Sequence, residues 1–297
     1  MKIGVVGTAG GWSSELLADR VAEKTGSRLL IEMDRTRLDL PAGKLWFNDV
    51  DLTTLDALLI KKIGQRYSPD LLDRLEMLRI LSKKDVLICS DPLKILRVLD
   101  RLSCTVTLQE NEIPMPETSI TENVELAAAI IRDYGEAVLK PLYSTKARGM
   151  TIVSDGPDLI KVLENYKKEN TIIYIQKKID LGEFDLGLVF LGGKYLTTYA
   201  RCRQDKTAWN TTTAAGGKYA AIDPEPEVIE LARQAQAPFG LDFTCVDVAL
   251  TDAGPVVFEV SAFGGFRGIL EARGLDAAAL LTDYVIEKVD NHNDTNS

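Results

Sequence analysis

Two acids stand in stretches that are otherwise apolar: Asp247 in CVDVAL (245–250) and Glu259 in VFEVS (257–261). A glycine- and proline-containing turn near Asp252 to Pro255 separates them, so the two stretches read as the arms of one hairpin. Burying a lone carboxylate costs several kcal/mol unless a cation compensates it. Two such acids on adjacent strands therefore suggest either a shared divalent metal with oxygen ligands or two separate salt bridges to Lys or Arg. Lys140, at the end of AVLKPL (137–142), is the second sharp feature. It precedes the basic, glycine-ended loop YSTKARG (143–149), which contains Lys146 and Arg148. A lysine so placed can hold a phosphate as a point charge beneath a mobile lid, or it can snorkel at the surface.

Other chemistry is disfavoured. The single histidine, His292, falls in the polar segment DNHNDTNS, which reads as a frayed tail. That argues against Ser/His/Asp or Cys/His nucleophiles, imidazole general bases and His-ligated metals. Cys89, Cys104, Cys202 and Cys245 include no CxxC pair and read as small buried hydrophobes. GTAGG (7–11) follows an apolar strand but lacks the G-x-G-x-x-G spacing, so a glycine turn lining a substrate cleft is favoured over a dinucleotide site. The Walker pattern GxxxxGK followed by Ser or Thr is absent.

The chain has 297 residues, 45% hydrophobic and 27% charged, as expected of about two compact units. A net charge of −9 repels nucleic acid and anionic membrane, so an anionic ligand needs a local basic pocket. No signal-peptide core and no apolar run of about 18 residues is present, and a reducing cytoplasm is the expected address.

These groups need elements to carry them. KIGVV (2–6) reads as a first strand, followed by a helix from Ser13, its expected cap, to Lys24. LDALLIKKI (55–63), a helix opening at Ser68-Pro69 with Leu71, Leu75, Leu78 and Leu81 inward, and DVLICS (85–90) complete a small α/β layer. Helical spacing then runs from Pro92 to about Glu112. TSI, a helix capped by Gly135, EAVLKPL, MTIVSD, a helix over 157–170 and TIIYIQKKI (171–179) follow. The remainder reads as a hairpin turning at Gly192-Gly193, a polar loop from Gln204 to Lys218, a helix from Pro226 to Phe239, the acidic hairpin and a closing helix over 275–289.

The order of these features resembles the ATP-grasp superfamily and, within it, the RimK-like carboxylate–amine ligases: a lysine strand with a lid loop, Gln176 at a strand end, an acidic turn at Glu183 and Asp185, then Asn210, Asp247 and Glu259. The stretch KPLYSTKARGM is similar to the lysine strand of a small bacterial ATP-grasp family reading KPLxSTKARGM. The resemblance implies an α/β ATP-grasp fold with an N-terminal Rossmann-like substrate domain (1–90), a central lobe with a lid (91–175), a C-terminal lobe with a metal site (176–290) and a disordered tail (291–297). By position it implies ATP held by Arg101, Lys140, Ser144, Thr145 and Gly149 around the phosphates, by Gln176, Lys177 and Ile179 at the adenine hinge, and by Asp185 at the ribose. Asn210 and Arg201 fall where the γ-phosphate and acyl-phosphate are met, and Asp247, Glu259 and Ser261 where Mg2+ is gripped.

Four positions depart from the family pattern. Arg101 stands for the first phosphate lysine, Lys177 for a hinge acid, Gly187 for the arginine two residues past the ribose acid, and Ser261 for a metal-binding asparagine. The activity implied is ATP-dependent ligation of a carboxylate to an amine through an acyl-phosphate, with Arg201, Arg267 and Lys140 as catalytic candidates. A phosphorylating enzyme on the same scaffold and an ATP-binding regulatory protein are the competing readings. Arg267 in AFGGFRG (262–268) either cradles the substrate anion or caps the next helix, and Lys61, Lys62 and Arg66 either recognise substrate or form a solvated edge. The partners implied are small-molecule or peptide carboxylates and amines, not nucleic acid or membrane, with self-association left open.

Overall fold

A computed structural model describes residues 1–145, 147–204, 211 and 217–296. The chain opens with β1 (Ile3–Val6), α1 (Trp12–Thr25), β2 (Leu30–Ile31), β3 (Thr36–Asp39), β4 (Lys44–Phe47), β5 (Val50–Asp51), β6 (Ala57–Ile60), α2 (Asp70–Arg79) and β7 (Leu87–Cys89). Strands β2, β1, β6 and β7 form a parallel sheet in that order, as the continuous apolar runs require of strands covered on both faces. The antiparallel β3-β4-β5 sheet inserted before β6 was not read from the pattern. Gly11, not Ser13, caps α1; the neighbouring Ser14 Oγ instead accepts the Thr8 amide at 3.2 Å and so braces the glycine turn.

The expected single helix after Pro92 is two, α3 (Pro92–Leu99) and α4 (Arg101–Glu110). Asp100 divides them in an extended conformation: it ends α3 and accepts the Leu102 amide at 3.0 Å as the cap of α4. This break places Arg101 in the first turn of α4. Next come β8 (Thr118–Thr121), α5 (Val124–Tyr134), β9 (Glu136–Leu139), β10 (Thr151–Ser154), α6 (Leu159–Glu169) and β11 (Ile173–Lys177), with sheet order β10-β9-β11-β8. The antiparallel β9–β10 pair carries the 140–150 loop at its end, so Lys140 lies at the root of the loop.

The last part comprises β12 (Phe184–Leu191), β13 (Lys194–Cys202), β14 (Lys218–Ala221), α7 (Pro226–Gln236), β15 (Phe243–Thr251), β16 (Gly254–Ser261), α8 (Phe266–Arg273) and α9 (Ala277–Asn296). Its sheet runs β14-β13-β12-β15-β16. Helix α9 continues to Asn296, so residues 291–296 are helical rather than the expected disordered tail.

One apolar cluster joins the N-terminal sheet, α3 and α4 to the C-terminal sheet through Leu58, Ile95, Leu186, Val246 and Val260. A second packs α1 and α9 around Phe243 and Phe266. A third, including Ala127, Ile131, Leu139, Leu163 and Ile173, belongs to the central β8–β11 lobe. None of the described helices is long and apolar enough to cross a membrane.

Candidate active site

A cavity of about 640 Å³ lies where the N-terminal sheet, the central lobe and the C-terminal sheet meet. Antiparallel pairing of β15 with β16 sets Asp247 directly opposite Glu259, with a bulge immediately after Asp247, and both acids line the cavity. Each has an arginine. Arg201 Nη2 forms an ion pair with Asp247 Oδ2 at 3.0 Å, and Arg101 Nη1 donates to Glu259 Oε2 at 3.2 Å. Burial pushes the Asp247 carboxyl up to about 6 against the pull of Arg201, with Glu259 and Asp185 adding repulsion. Ser261 also lines the cavity, and its Oγ accepts the Phe263 amide at 3.3 Å. Two carboxylates and a hydroxyl make an all-oxygen set that suits a hard divalent cation. Among the described residues no group of three or more His, Cys, Asp and Glu could hold a metal ion.

Lys140 is buried facing these acids, 7% exposed. Its ammonium donates to Gln176 Oε1, Gln176 Nε2 donates to Thr118 Oγ1 at 3.0 Å, and Nζ lies 5.1 Å from the centre of the Phe258 ring. Burial lowers its pKa to about 7, helped by repulsion from Arg101. Arg101 is similarly enclosed: Nε donates to the Pro141 carbonyl at 3.1 Å and Nη2 to Ser144 Oγ at 3.4 Å, tying α4 to the loop that follows β9. Thr145, Ala147, Arg148 and Met150 line the main cavity. Ser144 lines a small recess beside Arg101 instead, and Gly149 is a turn residue at φ +69° that is not among the lining residues. Lys146 and Asn210 lie outside the described residues.

Arg201 bridges two acids. It donates from Nε to both Asp185 oxygens at 3.2 and 3.1 Å and from Nη2 to Oδ2, and Thr211 Oγ1 donates to Oδ1 of the same carboxylate. Burial opposes its charge, but Asp247 and Asp185 outweigh that and hold its pKa well above the ordinary value. Gly187, directly opposite Tyr199 in the β12–β13 register, has a steric reason. A Cβ there would lie 2.4 Å from Tyr199 Cζ, and one at Gly268 would lie 2.6 Å from Tyr199 Cε2. The Tyr199 ring thus fills the space between β12 and α8. Sequence reading missed it because only cross-strand register shows which residue faces a glycine.

At the hinge, Gln176, Lys177 and Ile179 all line the cavity. The Lys177 ammonium donates to Glu117, which raises its pKa. The cavity is also lined by Thr8 and Gly11 of the glycine turn, by Trp12 at the start of α1, and by Lys62, Gln65 and Arg267. Arg267 stacks 4.8 Å over the Trp12 ring and pairs with Glu271 at 3.3 Å, one turn along α8. Lys61 is not a solvated edge: it is 4% exposed, donates to the Phe263 carbonyl at 2.8 Å, and sits 3.7 Å over the Phe266 ring. Burial lowers its pKa to about 7. Arg66 is exposed and is not among the cavity residues. The places of Trp12, Tyr67 and Tyr199 in the cavity wall were not read from the sequence, since nothing in their local pattern shows which surface the fold turns toward the cavity.

Residues 98–285, more than half of the chain, match the RimK-like ATP-grasp domain. The chain belongs to the RimK-like ATP-grasp family. It is similar to the tetrahydromethanopterin:alpha-L-glutamate ligases of Methanosarcina acetivorans, 23% identical over 92% of this chain and 95% of that one, and of Methanocaldococcus jannaschii, 24% identical over 83% and 84%. Among solved structures it is similar to the RimK domain ATP-grasp protein of Sphaerobacter thermophilus, with TM-score 0.73 and 21% identity over 96% of this chain and 99% of that one. It also resembles the ATP-grasp ligase PsnB complexed with minimal precursor, with TM-score 0.76 and 14% identity over 97% and 99%. These likenesses establish an ATP-grasp fold of mixed α/β layers.

Proposed function

We propose that the protein is an ATP-dependent ligase that joins a carboxylate to an amine through an acyl-phosphate. The observation that carries this reading is the facing of two strand acids, Asp247 and Glu259, by buried basic groups, Lys140 and Arg101, within one cavity of about 640 Å³. The similarity to tetrahydromethanopterin:alpha-L-glutamate ligases supports the same class.

In this reading the triphosphate tail lies between Lys140 and the acid pair, with adenine against Ile179 and the Gln176–Lys177 strand end, and ribose near Asp185. Asp247, Glu259 and Ser261 would hold Mg2+, which when bound would supply charge neutralisation to the nucleotide. The substrate carboxylate attacks the γ-phosphorus and ADP leaves; an amine then attacks the acyl carbon and inorganic phosphate leaves. Arg201 and Arg267 are assigned to the anionic acyl-phosphate, whose charge their guanidinium groups offset, and Asn210 to a neutral hydrogen bond with it; none forms a covalent bond to it. Residues 1–90 present the substrate, 91–175 carry the lid over 143–149, and 176–290 carry the metal acids. The scheme needs no protein nucleophile, which suits a chain whose single histidine lies in the closing helix.

The test is ADP release in Mg2+ and ATP against panels of amino acids, short peptides and a small-molecule extract, with mass spectrometry of the product. An amide that forms only when an amine is added supports ligation. A phosphorylated product that persists with every amine replaces it by the phosphorylating reading, and ATP binding without turnover on any panel replaces it by the regulatory one.

A further inference from the structure

Both cavity acids are already held by the protein's own guanidinium groups, and the two arginines are held differently. Arg201, if withdrawn from Asp247, still has both oxygens of Asp185. Arg101 has no such reserve. Among the described residues its one ion pair is with Glu259, and its other side-chain contacts are the neutral Pro141 carbonyl and Ser144 hydroxyl. Its side chain is only 8% exposed, so water offers little in exchange. A cation arriving at Glu259, whose own side chain is 41% exposed, therefore meets an enclosed guanidinium that has no other anionic partner among the described residues, so the two positive charges compete for one carboxylate. An incoming polyphosphate removes this obstacle because it gives the guanidinium a bidentate anionic partner.

We propose that Arg101 is an internal competitor for the divalent cation: it occupies Glu259 until nucleotide phosphate takes its guanidinium, so that metal and nucleotide enter the site as a pair. The inference rests on the reading of Asp247 and Glu259 as metal acids. Arg101 also holds Pro141 and Ser144, so the same exchange loosens the root of the 143–149 loop from β16.

Titration of the full-length protein with Mn2+, read by electron paramagnetic resonance of the free ion with and without ADP, tests it. Phosphate oxygens alone make Mn2+ bind better with ADP, so the deciding comparison is the variant without nucleotide. Arg101→Met should bind Mn2+ about tenfold more tightly than wild type in the absence of ADP, about 1.4 kcal/mol. The same variant should bind ADP more weakly, and by linkage the mutual enhancement of ADP and Mn2+ shrinks equally from either side. Equal or weaker Mn2+ binding by folded Arg101→Met overturns the proposal. Should that variant fail to fold, Arg101→Gln serves, since a neutral amide can still donate to the Pro141 carbonyl or Ser144 while removing the charge that competes for Glu259; it should tighten nucleotide-free Mn2+ binding at least threefold, and no tightening overturns the proposal. Glu259→Gln separates the two levels. If it leaves Mn2+ binding with ADP intact, the metal reading itself is wrong. If it abolishes that binding while the Arg101 variants show no tightening, only the exchange is wrong.

Discussion

Lys140 should take up a proton when nucleotide binds. Burial and Arg101 lower its pKa to about 7 from an ordinary 10.5, so at pH 8 only about one molecule in ten carries the charge. A polyphosphate placed beside Nζ favours the ammonium and returns the pKa toward or above its ordinary value. Binding at pH 8 should then absorb close to one proton at this group. Calorimetric titration with ATP in two buffers of different ionisation enthalpy reads that number from the difference in observed heat. Lys140→Met should lose the uptake and, with it, a charge-assisted hydrogen bond of about 1.5–3 kcal/mol, roughly 10- to 150-fold in affinity. ATP affinity of the wild type should also fall as pH rises above about 7, whereas that of the variant should not. The effect on stability has the opposite dependence. A lysine whose folded pKa lies below its unfolded one carries its full penalty below pH 7 and is relieved as pH rises toward 10.5. Lys140→Met should therefore stabilise the nucleotide-free protein at pH 7 and flatten its stability between pH 7 and 10.5. Equal proton uptake by wild type and variant, or unchanged ATP affinity in the variant, would refute the placement of phosphate at Lys140.

Arg201→Met strands Asp185 and Asp247, and removing one partner of a buried charge cluster costs about 3–5 kcal/mol, measurable as a lowered denaturant midpoint; a change under about 1 kcal/mol would show that the acids are solvated. Gly187→Ala should cost about 1–3 kcal/mol because its Cβ meets Tyr199, and most of that cost should vanish in the double variant with Tyr199→Leu, read by denaturant titration of both proteins. Glu259→Gln should abolish Mg2+-dependent ADP release while circular dichroism stays unchanged; retained turnover contradicts its role. Lys61→Met removes a buried ammonium whose partners among the described residues are a carbonyl and ring faces and which Lys62 repels, so thermal stability at pH 7 should rise, and a fall would show that the Phe263 tether outweighs the burial penalty.

What the linear sequence determined here was chemical inventory and local periodicity. Asp247, Glu259 and Lys140 stood out because each interrupts an apolar run, and an interrupted run can be read without knowing what lies opposite. The parallel N-terminal strands, the Gly192-Gly193 turn and the acidic hairpin follow from residues adjacent in the chain. Partners did not. That Arg101 answers Glu259 across 158 positions, or that Lys61 reaches the Phe263 carbonyl across 202, depends on how three lobes close on one another. The break at Asp100 escaped the helical pattern because apolar spacing continues across it, while the cap that divides the helices is a single side-chain hydrogen bond. Tertiary structure decided which charges neutralise which, because electrostatic energy depends on separation and solvent access, and neither is a property of position along the chain.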